Sequence, residues 1–124
     1  MRSVALTFVR LLGVGLLAFS GWAGAGEKIP VLLITGDDVK VHPWKETTAA
    51  IQDMLTKSGK FDVKVAENLA PLDDKAELGK HQAVFFNMYN TKKVKLSDAA
   101  KENLLSFVKE GKGFVATHLA SASF

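Results

Sequence analysis

Cysteine is absent from the 124 residues. That excludes a disulfide framework, a thiolate nucleophile and a lipid attached through cysteine. The chain also has no glycine-rich phosphate loop, internal repeat or low-complexity tract. Its net charge is only +3, and Arg2 and Arg10 supply two of those charges, so the remainder stands near +1. Such a balance gives no support to a nucleic-acid partner. With 48% hydrophobic and 23% charged residues, the composition is that of one globular domain.

The chain opens on a different pattern. Arg2 and Arg10 bracket an apolar start, Leu11 to Phe19 carries no charge, and Ser20 to Gly26 supplies small residues. Ala23-Gly24-Ala25 has the small-x-small form after which a signal peptidase cuts. Residues 1–25 therefore predict an export signal, and 26–124 a periplasmic or secreted domain without a stable membrane anchor. An uncleaved anchor helix is the alternative, but Gly13 and Gly15 interrupt a stretch already shorter than the ~20 apolar residues of a span.

From Ile29 to Thr35 a continuous β-branched and leucine run predicts a central strand, with Pro30 tolerated at its start. Gly36-Asp37-Asp38 is a turn signal. Trp44, Thr48, Ile51 and Leu55 then share one helical face, and Gly59 closes that helix near Ser58. Phe61 to Val65 alternates apolar and charged residues, which predicts a half-exposed strand near a sheet edge. After a loop over 66–71, residues 73–78 predict a turn or two of helix. Ala83 to Phe86 predicts a buried strand, followed by a cationic loop at Thr91 to Lys95. Ser97 caps a helix whose buried face is Ala100, Leu104, Phe107 and Val108, ended by Gly111. Phe114 to Ala116 then predicts a strand covered on both faces. Strands alternating with helices imply an α/β fold with a parallel sheet. The last strand has no covering helix after it, so the chain is expected to be the amino-terminal portion of a larger domain.

Parallel strands put their carboxyl ends on one edge, where open α/β sheets bind ligands. The polar groups expected there are Thr35, Gly36, Asp37, Asp38 and His42, then Asn87 and Tyr89, then Thr117, His118 and Ser121. A histidine, an acid, an amide and hydroxyls on one rim suit a polar, hydroxyl-rich small molecule. His118 stands at a strand-to-turn junction, where it can act as general base or metal ligand, or cap the strand end. His42 either contacts the ligand or fixes the helix entry, and His42 with His118 could hold a divalent metal. Asn87 and Tyr89 are hydroxyl contacts or loop caps. Asp37 and Asp38 bind a cation or hydroxyls, or simply form the turn. Trp44 is expected to pack rather than to stack on a sugar, His81 to be solvated at the opposite end, and Lys92, Lys93 and Lys95 to form a solvated loop.

The order of these motifs resembles the trehalose-utilisation (ThuA-like) domain family. It is carried by Val31-Leu32-Leu33-Ile34-Thr35-Gly36-Asp37, His42-Pro43-Trp44 with Thr47-Thr48, and Phe61-Asp62-Val63. Ala83-Val84-Phe85-Phe86-Asn87, Leu96-Ser97, Phe107-Val108 and Gly111-Lys112-Gly113-Phe114-Val115 with His118 continue it. The resemblance implies a class I glutamine amidotransferase-like fold, a flavodoxin-like three-layer sandwich, lacking its carboxyl-terminal part here. It places His118 at or near the cysteine elbow of those enzymes; without cysteine, thiolate hydrolysis of glutamine is excluded. It also implies action on, or binding of, a sugar or sugar derivative, with a non-catalytic binding module as the alternative.

Overall fold

The computed structural model describes residues 26–124, so the expected export signal lies outside the described residues. Strand β1, Ile29–Ile34, leads into helix α1, Trp44–Lys57, and strand β2, Phe61–Ala66. Two short helices, α2 at Ala70–Asp73 and α3 at Lys75–Gly79, precede strand β3 at Ala83–Phe86. Helix α4, Asp98–Lys109, strand β4, Gly113–Ala116, and a 3-10 turn at His118–Ala122 complete the order.

Among the described residues the strands make one four-stranded sheet in the order β2-β1-β3-β4, parallel throughout. The apolar run of β1 accordingly sits in the interior of the sheet and alternating β2 at an edge. Ile34, Phe86 and Ala116 lie in register. Backbone bonds carry the ladders one residue further, from Asn87 N–H to the Ile34 carbonyl at 2.8 Å and from Thr117 N–H to the Phe86 carbonyl at 3.1 Å. The ends of β1, β3 and β4 are thus level, and the chain leaves each of them at the same edge.

Successive residues of a strand face opposite sides, and β1 shows both. Leu32 and Ile34 enter a core with Leu72, Leu78, Val84, Phe86 and Phe107, beneath α2, α3 and α4. Thr35 on the other side bonds Thr48 of α1. This is the expected three-layer α/β sandwich. Leu32, Leu33 and Ile34 are fully buried, each contributing about 2 kcal/mol.

The helix ends follow their local chemistry. Ser97 Oγ accepts the Ala100 N–H at 2.9 Å, capping α4. At the other end Gly111 has φ +86°, and Gly111 and Lys112 N–H reach back to the Val108 and Phe107 carbonyls.

Two expectations need correction. Among the described residues strand β4 is not covered on both faces: it lies at an edge of the sheet and is exposed along its length, with Phe114 and Val115 at 43% and 45%. An apolar run specifies a strand but not the layers that cover it. On α4, Ala100 and Phe107 are buried and Leu104 half-buried, whereas Val108 is exposed.

Candidate functional site

The chain passes from β1 to β2 on one side and later to β3 on the other, so the strand order reverses between β1 and β3. Crevices outside such a reversal, at the carboxyl ends, are where open α/β sheets bind ligands. A cleft of about 330 Å³ opens there, lined by Asp38 and His42 after β1, Asn87 after β3, Thr117 and His118 after β4, and Thr47 of α1.

Gly36 creates the bend that brings Asp38 and His42 into it. Its φ is +118°, and an added Cβ would stand 2.2 Å from the Glu67 carbonyl oxygen. Asp38 Oδ1 accepts the Val39 N–H at 2.7 Å and lies 3.2 Å from His42 Nδ1. A carboxylate on Nδ1 directs the proton of a neutral imidazole there and leaves Nε2 as the acceptor. The ring of His42 meets that of His118 edge to face, with centroids 4.7 Å apart and planes at 61°.

His118 is held in an unusual backbone conformation, φ +50°. A left-handed residue directly after a parallel strand is the form of a nucleophile elbow, and such outliers cluster at functional sites. Ser121 Oγ donates to the His118 carbonyl at 3.0 Å and secures this turn. Below it, Thr117 Oγ1 donates to Asn87 Oδ1 at 3.0 Å. Asn87 Nδ2 has no protein partner among the described residues and remains a donor for a ligand.

A family model, ThuA (trehalose utilisation), matches residues 30–124. The chain belongs to the ThuA family. A crystal structure of a ThuA-like protein from Parabacteroides merdae shares the fold, with TM-score 0.65 and 23% identity over 79% of this chain. The chain spans 35% of that protein's length. No curated protein matches it.

Within this ThuA domain the expected site residues divide into two groups. His42, Asn87 and His118 come together. Thr35 does not reach the rim: it is fully buried, and its hydroxyl meets that of Thr48 at 2.8 Å. Thr48 in turn donates to the Trp44 carbonyl at 2.6 Å, which fastens the first turn of α1 to the sheet. Trp44 itself is half-buried, outside the cleft lining.

Asp37 turns away from its neighbour's cleft. Its carboxylate accepts the Thr91 hydroxyl at 2.6 Å and the Lys92 N–H at 3.2 Å, and its carbonyl accepts the Tyr89 N–H. Desolvation pushes its pKa up, but the bonds from Thr91 and Lys92 outweigh it and hold the carboxyl below its ordinary value. Tyr89 lines a separate pocket beyond this anchor, and Ser121 serves the turn and not the cleft.

His81 corrects another expectation. It stands at the amino-terminal end of β3 as foreseen, but it is buried, only 6% exposed, with neither ring nitrogen hydrogen-bonded. Glu77 Oε1 lies 3.5 Å from its Nε2. Burial lowers the His81 pKa against the opposing pull of Glu77. Hydrogen bonds from Lys64 and Lys80 bring the Glu77 carboxyl down to about 2.

Asn90 and Thr47 were not among the expected site residues. Nothing around Asn90 marks it, yet its side chain bonds both the N–H and the carbonyl of Val94. The pairing of Asp38 with His42 had a visible signal in their spacing of four.

Proposed function

We propose that the cleft between α1 and the 118–122 turn binds a sugar or sugar derivative, with His42 and His118 as its working groups. The observation that carries this reading is the Asp38–His42 pair facing His118 where the strand order reverses. Asp38 orients the His42 ring, so Nε2 can accept a proton from a ligand hydroxyl. The left-handed turn presents His118 across from it, and Asn87 Nδ2 supplies a donor. The volume lies at the small end of ligand pockets, which suits a single ring with the remainder of the molecule in solvent. Membership of a trehalose-utilisation family supports a saccharide ligand.

A second reading makes the two histidines ligands of a divalent ion. The ring contact at 4.7 Å favours it, and a carboxylate behind His42 is the usual partner of a metal-bound histidine. Two ligands are fewer than the three or four of zinc sites, and no cluster of three or more is placed for a metal among the described residues.

The charged and apolar pattern of residues 1–25 supports action outside the cytoplasm. Among the described residues no helix is long and apolar enough to cross a membrane.

Calorimetric titration with trehalose and a keto-disaccharide tests the sugar reading, using the wild-type chain, His42→Ala and His118→Ala. Binding that is lost in both variants at unchanged melting temperature supports it, and equal binding by the variants overturns it. Elemental analysis of the purified protein tests the metal reading, and turnover of the bound sugar separates an enzyme from a binding module.

A further inference from the structure

Thr117 joins β4 to the 118–122 turn, with an extended backbone at φ −105° and ψ 137°. At the start of a helical turn a threonine hydroxyl ordinarily accepts a bond from one of the first free N–H groups. Here it makes no such cap. The turn is closed instead by the Ala120 N–H on the Thr117 carbonyl at 2.9 Å, which leaves the hydroxyl to the end of β3. Two oxygens lie within its reach there, Asn87 Oδ1 at 3.0 Å and the Phe86 carbonyl at 3.3 Å. A hydroxyl has one proton to give. The Phe86 carbonyl already accepts the Thr117 N–H at 3.1 Å, so the nearer Asn87 oxygen takes it.

Asn87 is buried, and its own N–H is fixed on the Ile34 carbonyl at 2.8 Å. The main chain therefore sets where the side chain starts but not which way its amide faces. The oxygen and the amino group have nearly the same shape, so packing alone hardly separates the two senses. Hydrogen bonding does separate them. Among the described residues the Thr117 hydroxyl is the one hydrogen-bond partner of the amide, and as a donor it selects the oxygen. Nδ2 is then the group left for the cleft that Asn87 lines.

We infer that Thr117 is a positioning residue, which sets the sense of the Asn87 amide so that the cleft offers its ligand a donor at this point and not an acceptor. The part that concerns a ligand rests on the sugar reading above. Sugar hydroxyl and ring oxygens carry the lone pairs that Nδ2 needs. With the amide reversed, Oδ1 and His42 Nε2 would both be acceptors, and a ligand would have to supply a proton to each. Thr117 thus acts on specificity without touching the ligand.

The test compares Thr117→Val, which keeps the shape and removes the hydroxyl, with Thr117→Ser, which keeps the hydroxyl. Side-chain amide NMR relaxation of the whole chain without ligand reads the order of the Asn87 amide, and calorimetry reads trehalose affinity. Thr117→Val is expected to lower the order of that amide and to weaken trehalose binding about threefold to tenfold, the cost of fixing one more side chain on binding. Thr117→Ser is expected to restore both. An Asn87 amide as ordered in Thr117→Val as in the wild type, with only the melting temperature lowered, would make Thr117 structural and overturn the inference. Failure of Thr117→Ser to restore the order would overturn it as well. If the wild-type chain binds no trehalose, the sugar reading falls, and the order of the Asn87 amide in the two variants still decides whether Thr117 positions it.

Discussion

His42 and His118 touch edge to face although one precedes α1 and the other follows β4. Only the sheet brings them together, through the level ends of β1, β3 and β4. His118 reaches that contact in a left-handed conformation that a side chain with Cβ adopts at a cost.

That cost separates stability from function. Replacing His118 by glycine relieves the backbone, and the gain is partly offset by glycine's greater freedom in the unfolded chain. His118→Gly is expected to raise stability by up to about 1 kcal/mol while losing the sugar binding proposed for the cleft. Urea denaturation and calorimetry measure the two separately. A variant both destabilised and fully competent to bind would contradict this account.

Gly36 should tolerate no side chain. A methyl group there meets the Glu67 carbonyl at 2.2 Å, and the backbone at φ +118° is strained for any other residue. Overpacking and strain together predict a loss of about 3 kcal/mol or more for Gly36→Ala. Since the same bend places Asp38 and His42, residual ligand affinity should fall even in the fraction that folds.

His81 should make stability depend on pH. Burial holds its folded pKa below the ordinary histidine value of 6.5, so the unfolded chain takes up its proton first as the pH falls. The contribution is complete above that value and is lost as the pH drops toward the folded pKa. His81→Phe is expected to flatten the loss that sets in as the pH falls below about 6.5. It also removes two unpartnered buried nitrogens, so stability at neutral pH should rise by about 1 kcal/mol. Melting curves across that range check both effects, and an unchanged slope would show that His81 is not responsible. Glu77 acts lower, since its shift to about 2 keeps its ion pairs until the pH falls below the ordinary carboxylate range.

The amino terminus offers a test of another kind. If residues 1–25 are an export signal, the mature protein begins near Gly26, and intact mass spectrometry of protein from the native cell should find that product. A chain retaining Met1 to Ala25 would contradict export by this route.

Much of this architecture was legible from residue patterns. The unbroken apolar run at Val31 to Ile34 marks a strand buried on both faces, and alternation at Phe61 to Val65 marks an edge. Gly59 and Gly111 mark helix ends because their left-handed angles are needed there. The limits have equally specific causes. Phe114 and Val115 read as interior residues because apolar character does not say whether a layer will cover it. His81 reads as solvated because it precedes its strand at the end opposite the site, whereas the fold buries it with Glu77 3.5 Å away. Thr35 reads as rim because it is the last residue of the predicted strand, but its side chain faces α1 and is buried against Thr48. In the site, the histidines stood out by type, but the role of Asn90 depends on a partner four residues on and a turn far along the chain.

Asp37 and Asp38 look interchangeable in sequence, yet the first carboxylate braces the lysine-bearing loop and the second orients His42. The two pockets therefore share a hinge pin one peptide wide. Inserting or deleting a single residue after Gly36 would swap a structural fastening for a chemical one and unsettle both chambers together. Neither pocket can be retuned through this turn without rewriting the other.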